Sequence, residues 1–347
     1  MVKRISDYGI KIGSLPRGRL NKITDVEGVR VGHKTIDTRD NKTGLTVVIP
    51  SEGNIFREKL VAASHVINGF GKTTGLVQLN ELGNLESVIA LTNTLNVGKV
   101  QDALVDYTIG LCRQDGIELT SFNPVVCECN DSFLNNIQDR LVGQADFYEA
   151  IEGAVRDFEE GDVGAGKGMS CHELSGGIGS ASRLVKLGGQ DYCLGALVLS
   201  NYGLLKDLTI AGRPIGQELE GEIYPERRQE EGSIIIILAT DLPLTSRQLK
   251  RICKRAGVGL SRVGSNISHG SGDIVLGFST YNKLAHGSQE VILDLKALDD
   301  SQLSEPFRAV AEATEEAILN SLISSQRLVG YKGRVREALK DYIEKYI

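Results

Sequence analysis

The chain of 347 residues has no tryptophan, two methionines and seven prolines, and aromatic residues make up only 5% of it. A core of ordinary size must therefore be built from aliphatic side chains. No apolar run approaches the roughly 18 residues a membrane helix needs. The first residues, Met1-Val2-Lys3-Arg4-Ile5-Ser6-Asp7, also lack the apolar centre of a signal peptide. These absences lead to the expectation of a soluble, unexported, cytoplasmic protein with no membrane partner. Positive charge is in deficit too. A net charge of −6 and a pI near 5.6, with no basic stripe carrying interleaved aromatics, argue against nucleic acid as a partner.

Several chemistries lack their residues. There are only five histidines, and no G-x-S-x-G elbow is present. A Ser-His-Asp triad has one candidate base, His269, two residues before Ser271. The six cysteines are scattered, several of them in apolar runs, and are expected to be buried reduced thiols. Cys127 and Cys129 form a C-x-C pair, but no second pair or nearby histidine completes a zinc set, so no metal is expected. Gly71-Lys72-Thr73 looks like the end of a phosphate-binding loop, but the required first glycine falls on Val66 and the pattern fails. No cofactor is expected.

Glycine is in excess, at 40 residues against roughly 7% in average usage. With 41% hydrophobic and 24% charged residues, the composition is that of a globular chain. Strands are expected at Val29–His33, Thr46–Pro50, Asn123–Asp131, Tyr192–Gly203, 233–240 and Asp273–Ser279. Helices are expected at 97–111 and 145–158, over about fifteen residues after a Thr245 cap, and at 303–323 and 333–346. His33, after a strand end, reads as structural. The Gly- and Asn-rich stretch 61–100 serves either turns or an amide-lined pocket, and both readings stand. The G-x-G elements within 162–183 read as strand-edge turns, since neither follows a clear strand and opens a helix. Residues 206–232, crowded with charges and carrying Pro214 and Pro225, read as a solvated linker. No internal repeat is present. The pattern fits one layered α/β unit with helices covering the sheets.

Two features carry chemistry. Glu128 lies inside an apolar strand, where a carboxylate needs a partner or a ligand. The linker runs through Gly232-Ser233 directly into Ile234-Ile235-Ile236-Ile237-Leu238, a strand buried on both faces. A cut before Ser233 would free an α-amine with a reference pKa near 7.7–8.0, able to accept the serine's own proton. Gly232 would leave the scissile carbonyl sterically open. A Gly-Ser step at a strand start is common, and by itself it does not decide for cleavage.

Longer blocks do carry a resemblance. Leu20–His33, Asn68–Gly75, Asn123–Val126, Gly176–Gly179, Leu199–Gly203, Gly232–Asp241 and Gly270–Asp273 resemble the DmpA/BapA family, the L-aminopeptidase D-Ala-esterase/amidases and β-peptidyl aminopeptidases. The similarity runs from about residue 15 to about residue 325. It implies a four-layer α-β-β-α sandwich in a single domain, 1–347. It also implies self-cleavage into 1–232 and 233–347 and assembly as a homotetramer of the cleaved pairs. By the same resemblance Ser233 is the nucleophile, Asn201 the oxyanion amide, Ser271 the second serine beside the nucleophile and its amine, and Asp273 the carboxylate that orients them. Glu128 resembles the acidic residue that binds the substrate's free amine. Phe133 stands where some relatives have a tyrosine that helps the oxyanion, and Lys167 and Ser170 depart from the family's glycine-rich block. The expected substrates are small peptides, amides or esters with a free N-terminus. Two other readings stay open. One is an acyltransferase like the ornithine acetyltransferases, against which the serine and the absence of an Ala-Thr-Met-Leu type junction argue. The other is an uncleaved binding protein.

Overall fold

The computed structural model describes residues 3–223 and 232–346. Its strands, in chain order, are β1 (Arg30–Asp37), β2 (Lys42–Ile49), β3 (Glu58–Gly69), β4 (Asn84–Leu85), β5 (Ile89–Asn93), β6 (Val125–Cys129), β7 (Ser170–Cys171), β8 (Leu174–Ser175), β9 (Gly177–Leu187), β10 (Gln190–Asn201), β11 (Ser233–Thr240), β12 (Gly272–Ala285), β13 (Leu328–Val329) and β14 (Val335–Arg336). The helices are α1 (Leu76–Leu82), α2 (Val97–Gln114), α3 (Gln144–Glu152), α4 (Ile215–Leu219), α5 (Ser246–Cys253), α6 (Ala256–Arg262) and α7 (Ser304–Ser324).

Two sheets stack face to face. One has the order β1-β2-β5-β6, and the other β4-β3-β12-β11-β10-β9. An apolar layer between them takes Leu91 and Cys127 from the smaller sheet and Leu199, Ile235, Ile237 and Leu276 from the larger. α2 and α3 cover the outer face of the smaller sheet through Val100, Leu104 and Phe147. α5, α6 and α7 cover the outer face of the larger one. The result is the four-layer α-β-β-α sandwich in one domain. β11 shows why its sequence is an unbroken aliphatic run: Ile234, Ile236 and Leu238 face the helices while Ile235, Ile237 and Ala239 face the other sheet.

Several expectations are corrected. Residues 58–69 form a twelve-residue strand, and the glycine-rich 177–187 forms an eleven-residue strand rather than turns. The glycines there answer to packing. A Cβ at Gly179 would sit 2.0 Å from the Ala317 carbonyl oxygen, so β9 and α7 cross backbone to backbone. The helix after Thr245 keeps its cap, with the Thr245 hydroxyl accepting the Gln248 N–H, but breaks into α5 and α6. No helix covers 333–346. That segment pairs β14 with β13 and then makes two 3₁₀ turns that bury Leu339 and Ile343. Its apolar spacing is satisfied by core packing without helical hydrogen bonds. The linker expected at 206–232 is solvated only in part: Leu208, Ile210, Ile215, Leu219 and Ile223 pack into the core. The rest of it, 224–231 with Pro225, lies outside the described residues. All six cysteines are buried free thiols. His33 is held between the Thr46 hydroxyl and the Glu159 carbonyl. Among the described residues no helix is long and apolar enough to cross a membrane.

Candidate active site

The register of the larger sheet brings the chemistry-bearing residues to one end of three neighbouring strands. Ser233, the first residue of β11, pairs with Asn201, the last residue of β10, on one side and with Gly272, the first of β12, on the other. The Gly272 N–H donates to Ser233 Oγ at 3.1 Å. Gly232 crosses so close to β10 that a Cβ there would lie 2.4 Å from the Asn201 carbonyl oxygen. The glycine expected for an open scissile carbonyl is thus also required by packing.

Asn201 is fixed at both ends of its amide. Its Oδ1 accepts the Ser170 N–H at 2.8 Å, and its Nδ2 donates to the Asn130 carbonyl at 3.0 Å. One Nδ2–H is then left for a further acceptor. Ser271 and Asp273 are both buried, and the Ser271 hydroxyl donates to Asp273 Oδ2 at 2.6 Å. Asp273 Oδ1 accepts the Ile234 N–H at 3.2 Å, tying the carboxylate to the strand that begins at Ser233. Asn68 closes the turn before β12, donating to the Ser271 carbonyl at 2.6 Å and to that of Ser268 at 3.0 Å.

Glu128, 2% exposed, comes from the smaller sheet. Its Oε1 accepts the Lys72 N–H at 2.9 Å, and its Oε2 takes the Thr94 hydroxyl. These neutral donors hold the carboxylate without cancelling its charge. Glu128, Asn201 and Ser233 open on one cavity of about 450 Å³, also lined by Phe133, Ser170, Glu173, His269 and Arg336. Phe133 forms part of the wall, with the Arg336 guanidinium stacked 3.6 Å from its ring centroid. The Arg336 Nε–H donates to Ser170 Oγ at 3.0 Å. Lys167 turns away into ion pairs with Asp37 and Asp162, each at 2.8 Å.

The sequence residues Ser233, Asn201, Ser271, Asp273, Glu128 and Phe133 therefore meet at one place. Sequence reasoning missed Thr94, Glu173 and Arg336, and left Asn68 among the amides of 61–100 that serve either turns or a pocket. Arg336 was hidden by the helical reading of 333–346, although Gly330 and Gly333 on either side of Tyr331-Lys332 are turn signals. A cavity that brings together a serine, an amide donor and a buried carboxylate suits acyl transfer from an amino-terminal residue.

Comparison with known proteins places this site in context. The sequence pattern of peptidase family S58 matches residues 21–336. The chain belongs to peptidase family S58. This S58 chain is 36% identical over 353 residues to the beta-peptidyl aminopeptidase BapA of Sphingosinicella microcystinivorans, covering 95% of this chain and 88% of that protein. It superposes on the PH0078 protein from Pyrococcus horikoshii OT3 with a TM-score of 0.94 at 49% identity, covering 99% of this chain and 98% of that one. The L-aminopeptidase D-Ala-esterase/amidase from Ochrobactrum anthropi, a prototype of the serine aminopeptidases and a variant of the Ntn hydrolase fold, matches with a TM-score of 0.90 at 31% identity, over 99% and 98% of the two chains. The S58 chain thus has the fold of that Ntn hydrolase variant and is a serine aminopeptidase, a hydrolase of the DmpA/BapA kind.

Proposed function

We propose that the chain cuts itself between Gly232 and Ser233. Ser233 then becomes the nucleophile of an aminopeptidase that releases N-terminal residues from small peptides, amides or esters. The observation that carries this reading is the position of Ser233. It opens a central strand at the cavity, with Asn201 on one side and the Gly272 N–H on its Oγ.

In self-cleavage, Ser233 Oγ attacks the Gly232 carbonyl. The C–N bond breaks as the ester forms, and the nitrogen leaves as the Ser233 amine. Water then hydrolyses the ester, giving a Gly232 carboxylate and a free serine. The new α-amine, with a reference pKa near 7.7–8.0, is largely neutral at mildly alkaline pH and takes the hydroxyl proton in each later turnover. Ser271 and Asp273, bonded to each other and to Ile234, orient that amine. The substrate's ammonium pairs with Glu128. The spare Nδ2–H of Asn201, with a backbone N–H, stabilises the tetrahedral oxyanion, an effect of about 3–4 kcal/mol per donor in such sites. Phe133 gives no hydroxyl to it. Water finally releases the acyl group from Ser233. The processed enzyme consists of residues 1–232 and 233–347 and assembles as a homotetramer, which light scattering on the purified protein will measure.

Ser233→Ala tests the reading directly. The variant is expected to run as one full-length band on denaturing electrophoresis and to leave aminoacyl p-nitroanilides uncut. A variant that still splits in two and still hydrolyses them refutes it.

A further inference from the structure

Behind the cavity sits a carboxylate that the reaction does not use. Asp131, 1% exposed, makes no ion pair among the described residues. Its Oδ2 accepts the Thr43 hydroxyl at 2.6 Å, and its Oδ1 accepts the Asn135 amide at 3.0 Å. Burial pushes its carboxyl up to about 7, against the opposing pull of Thr43, Asn135 and Asn93. The charged groups around it are engaged elsewhere. Lys42, beside Thr43, bonds Asp37 and the Thr38 carbonyl, and Asp139 is reached only through Asn41, which also bonds Asn135. A buried carboxylate without a cation is expensive to keep, and its hydrogen bonds lead toward the site on both sides.

On one side the chain runs through Thr43. The Asn93 amide donates to Thr43 Oγ1 at 2.9 Å, and Asn93 Oδ1 accepts the Asn96 N–H at 3.1 Å. Asn93 thereby caps the 3₁₀ turn Thr94–Asn96, whose first residue gives its hydroxyl to Glu128. On the other side, Asp131 follows Asn130 directly. The Asp131 carbonyl receives the N–H groups of Leu134 and Asn135, which fixes the turn. Asn130 offers the carbonyl from which the Asn201 amide hangs.

We infer that Asp131 is a positioning residue for both halves of the site, holding the ammonium-binding Glu128 through Thr43 and Asn93 and the Asn201 amide through the Asn130 carbonyl. The inference rests on the proposed roles of Glu128 and Asn201. It assigns a separable effect to each arm. Loss of the Thr43 hydroxyl loosens only the Glu128 arm, so it acts on KM for substrates with a free amine. Loss of the Asp131 carboxylate takes away the acceptors of the Thr43 hydroxyl and of the Asn135 amide, the side-chain bond that ties the turn after Asn130, so it loosens both arms and acts on KM and kcat together.

The test uses the full-length processed enzyme and alanyl p-nitroanilide. Thr43→Val removes both bonds of that hydroxyl, to Asp131 and from Asn93, and is expected to raise KM about tenfold, with kcat within threefold of wild type. Thr43→Ser, which keeps the hydroxyl, is expected to return KM to within twofold. Asp131→Asn, nearly isosteric, is expected to raise KM similarly and to lower kcat about tenfold. It serves as the second variant should Thr43→Val fold poorly. A wild-type KM in Thr43→Val or in Asp131→Asn overturns the inference, and so does a Thr43→Ser enzyme as impaired as Thr43→Val. Glu128→Gln separates the two levels. If it leaves KM unchanged, the proposed role of Glu128 has failed; if it raises KM while Thr43→Val does not, only the positioning role has failed.

Discussion

Replacing Gly232 by alanine adds one methyl group at the tightest point of the proposed cleavage site. That carbon would lie 2.4 Å from the Asn201 carbonyl oxygen and 2.6 Å from Tyr202 Cα. Both obstacles are backbone atoms, and the first belongs to the residue paired with Ser233 across β10 and β11. Neither can swing aside as a long side chain would. Ordinary contact begins near 3.4 Å, so the Gly232-Ser233 step has to lift off β10 by about 1 Å. A misplacement of that size between reacting atoms costs on the order of 100-fold in rate, or about 2.7 kcal/mol of barrier. Gly232→Ala is therefore expected to process about 100-fold more slowly than wild type. After a cut, residue 232 is the end of the other chain, so the fraction that does mature is expected to hydrolyse aminoacyl p-nitroanilides with near-normal kcat. A time course of full-length and cleaved bands after synthesis, with activity normalised to the cleaved fraction, reads both quantities. Processing at the wild-type rate would refute the steric argument. Normal processing with a depressed kcat would show that residue 232 acts in turnover rather than in maturation.

Two further outcomes concern stability. Glu316 is fully buried and holds Arg183 at 2.7 Å, Arg17 at 2.9 Å and the Asn21 amide at 2.8 Å. Glu316→Ala is expected to lower the unfolding free energy by about 3 kcal/mol, the lower end for breaking a buried pair, because Arg183 keeps Glu312; the urea midpoint measures it. His172, fully buried, is pushed down to about 4 by desolvation, with its Nδ1 held by the Leu204 carbonyl. Because its folded pKa lies below the unfolded one, its contribution is complete above pH 6.5 and is lost as pH falls toward 4, for a total of about 3 kcal/mol. His172→Asn, suited to the left-handed φ of 49° there, is expected to remove that part of the pH slope in urea titrations between pH 7 and 4.5. An unchanged slope would mean that His172 takes up its proton in the fold at the same pH as in the unfolded chain.

The parts of this fold legible from sequence are those whose signal is local. The aliphatic run after Ser233 and the Thr245 cap each announced their element, and a helix was legible at 303–323, where α7 lies. β9 was not legible, because its glycines answer to a helix more than a hundred residues away: Gly179 meets Ala317. Arg336 was lost for the converse reason. Val335, Leu339 and Ile343 keep a helical spacing, yet Val335 lies in a short strand and Leu339 and Ile343 are buried by two 3₁₀ turns. For the site, resemblance named the residues, while composition and spacing left the Gly-Ser step undecided.

By itself the sequence determined which chemistry was available. It supplied a serine behind a glycine at the head of a core strand, a carboxylate within an apolar strand, and His269 as the one candidate base for a triad. Only the tertiary structure decided what stands beside what. Asn201, Ser233 and Gly272 share a sheet end because strand register fixes it, and Glu128 faces them from a different sheet. Hydrogen-bonded partners such as Asn130 for Asn201 and Thr94 for Glu128 are set by that stacking. Pairing between strands far apart in the chain depends on packing over the whole core, and no short stretch of residues encodes it.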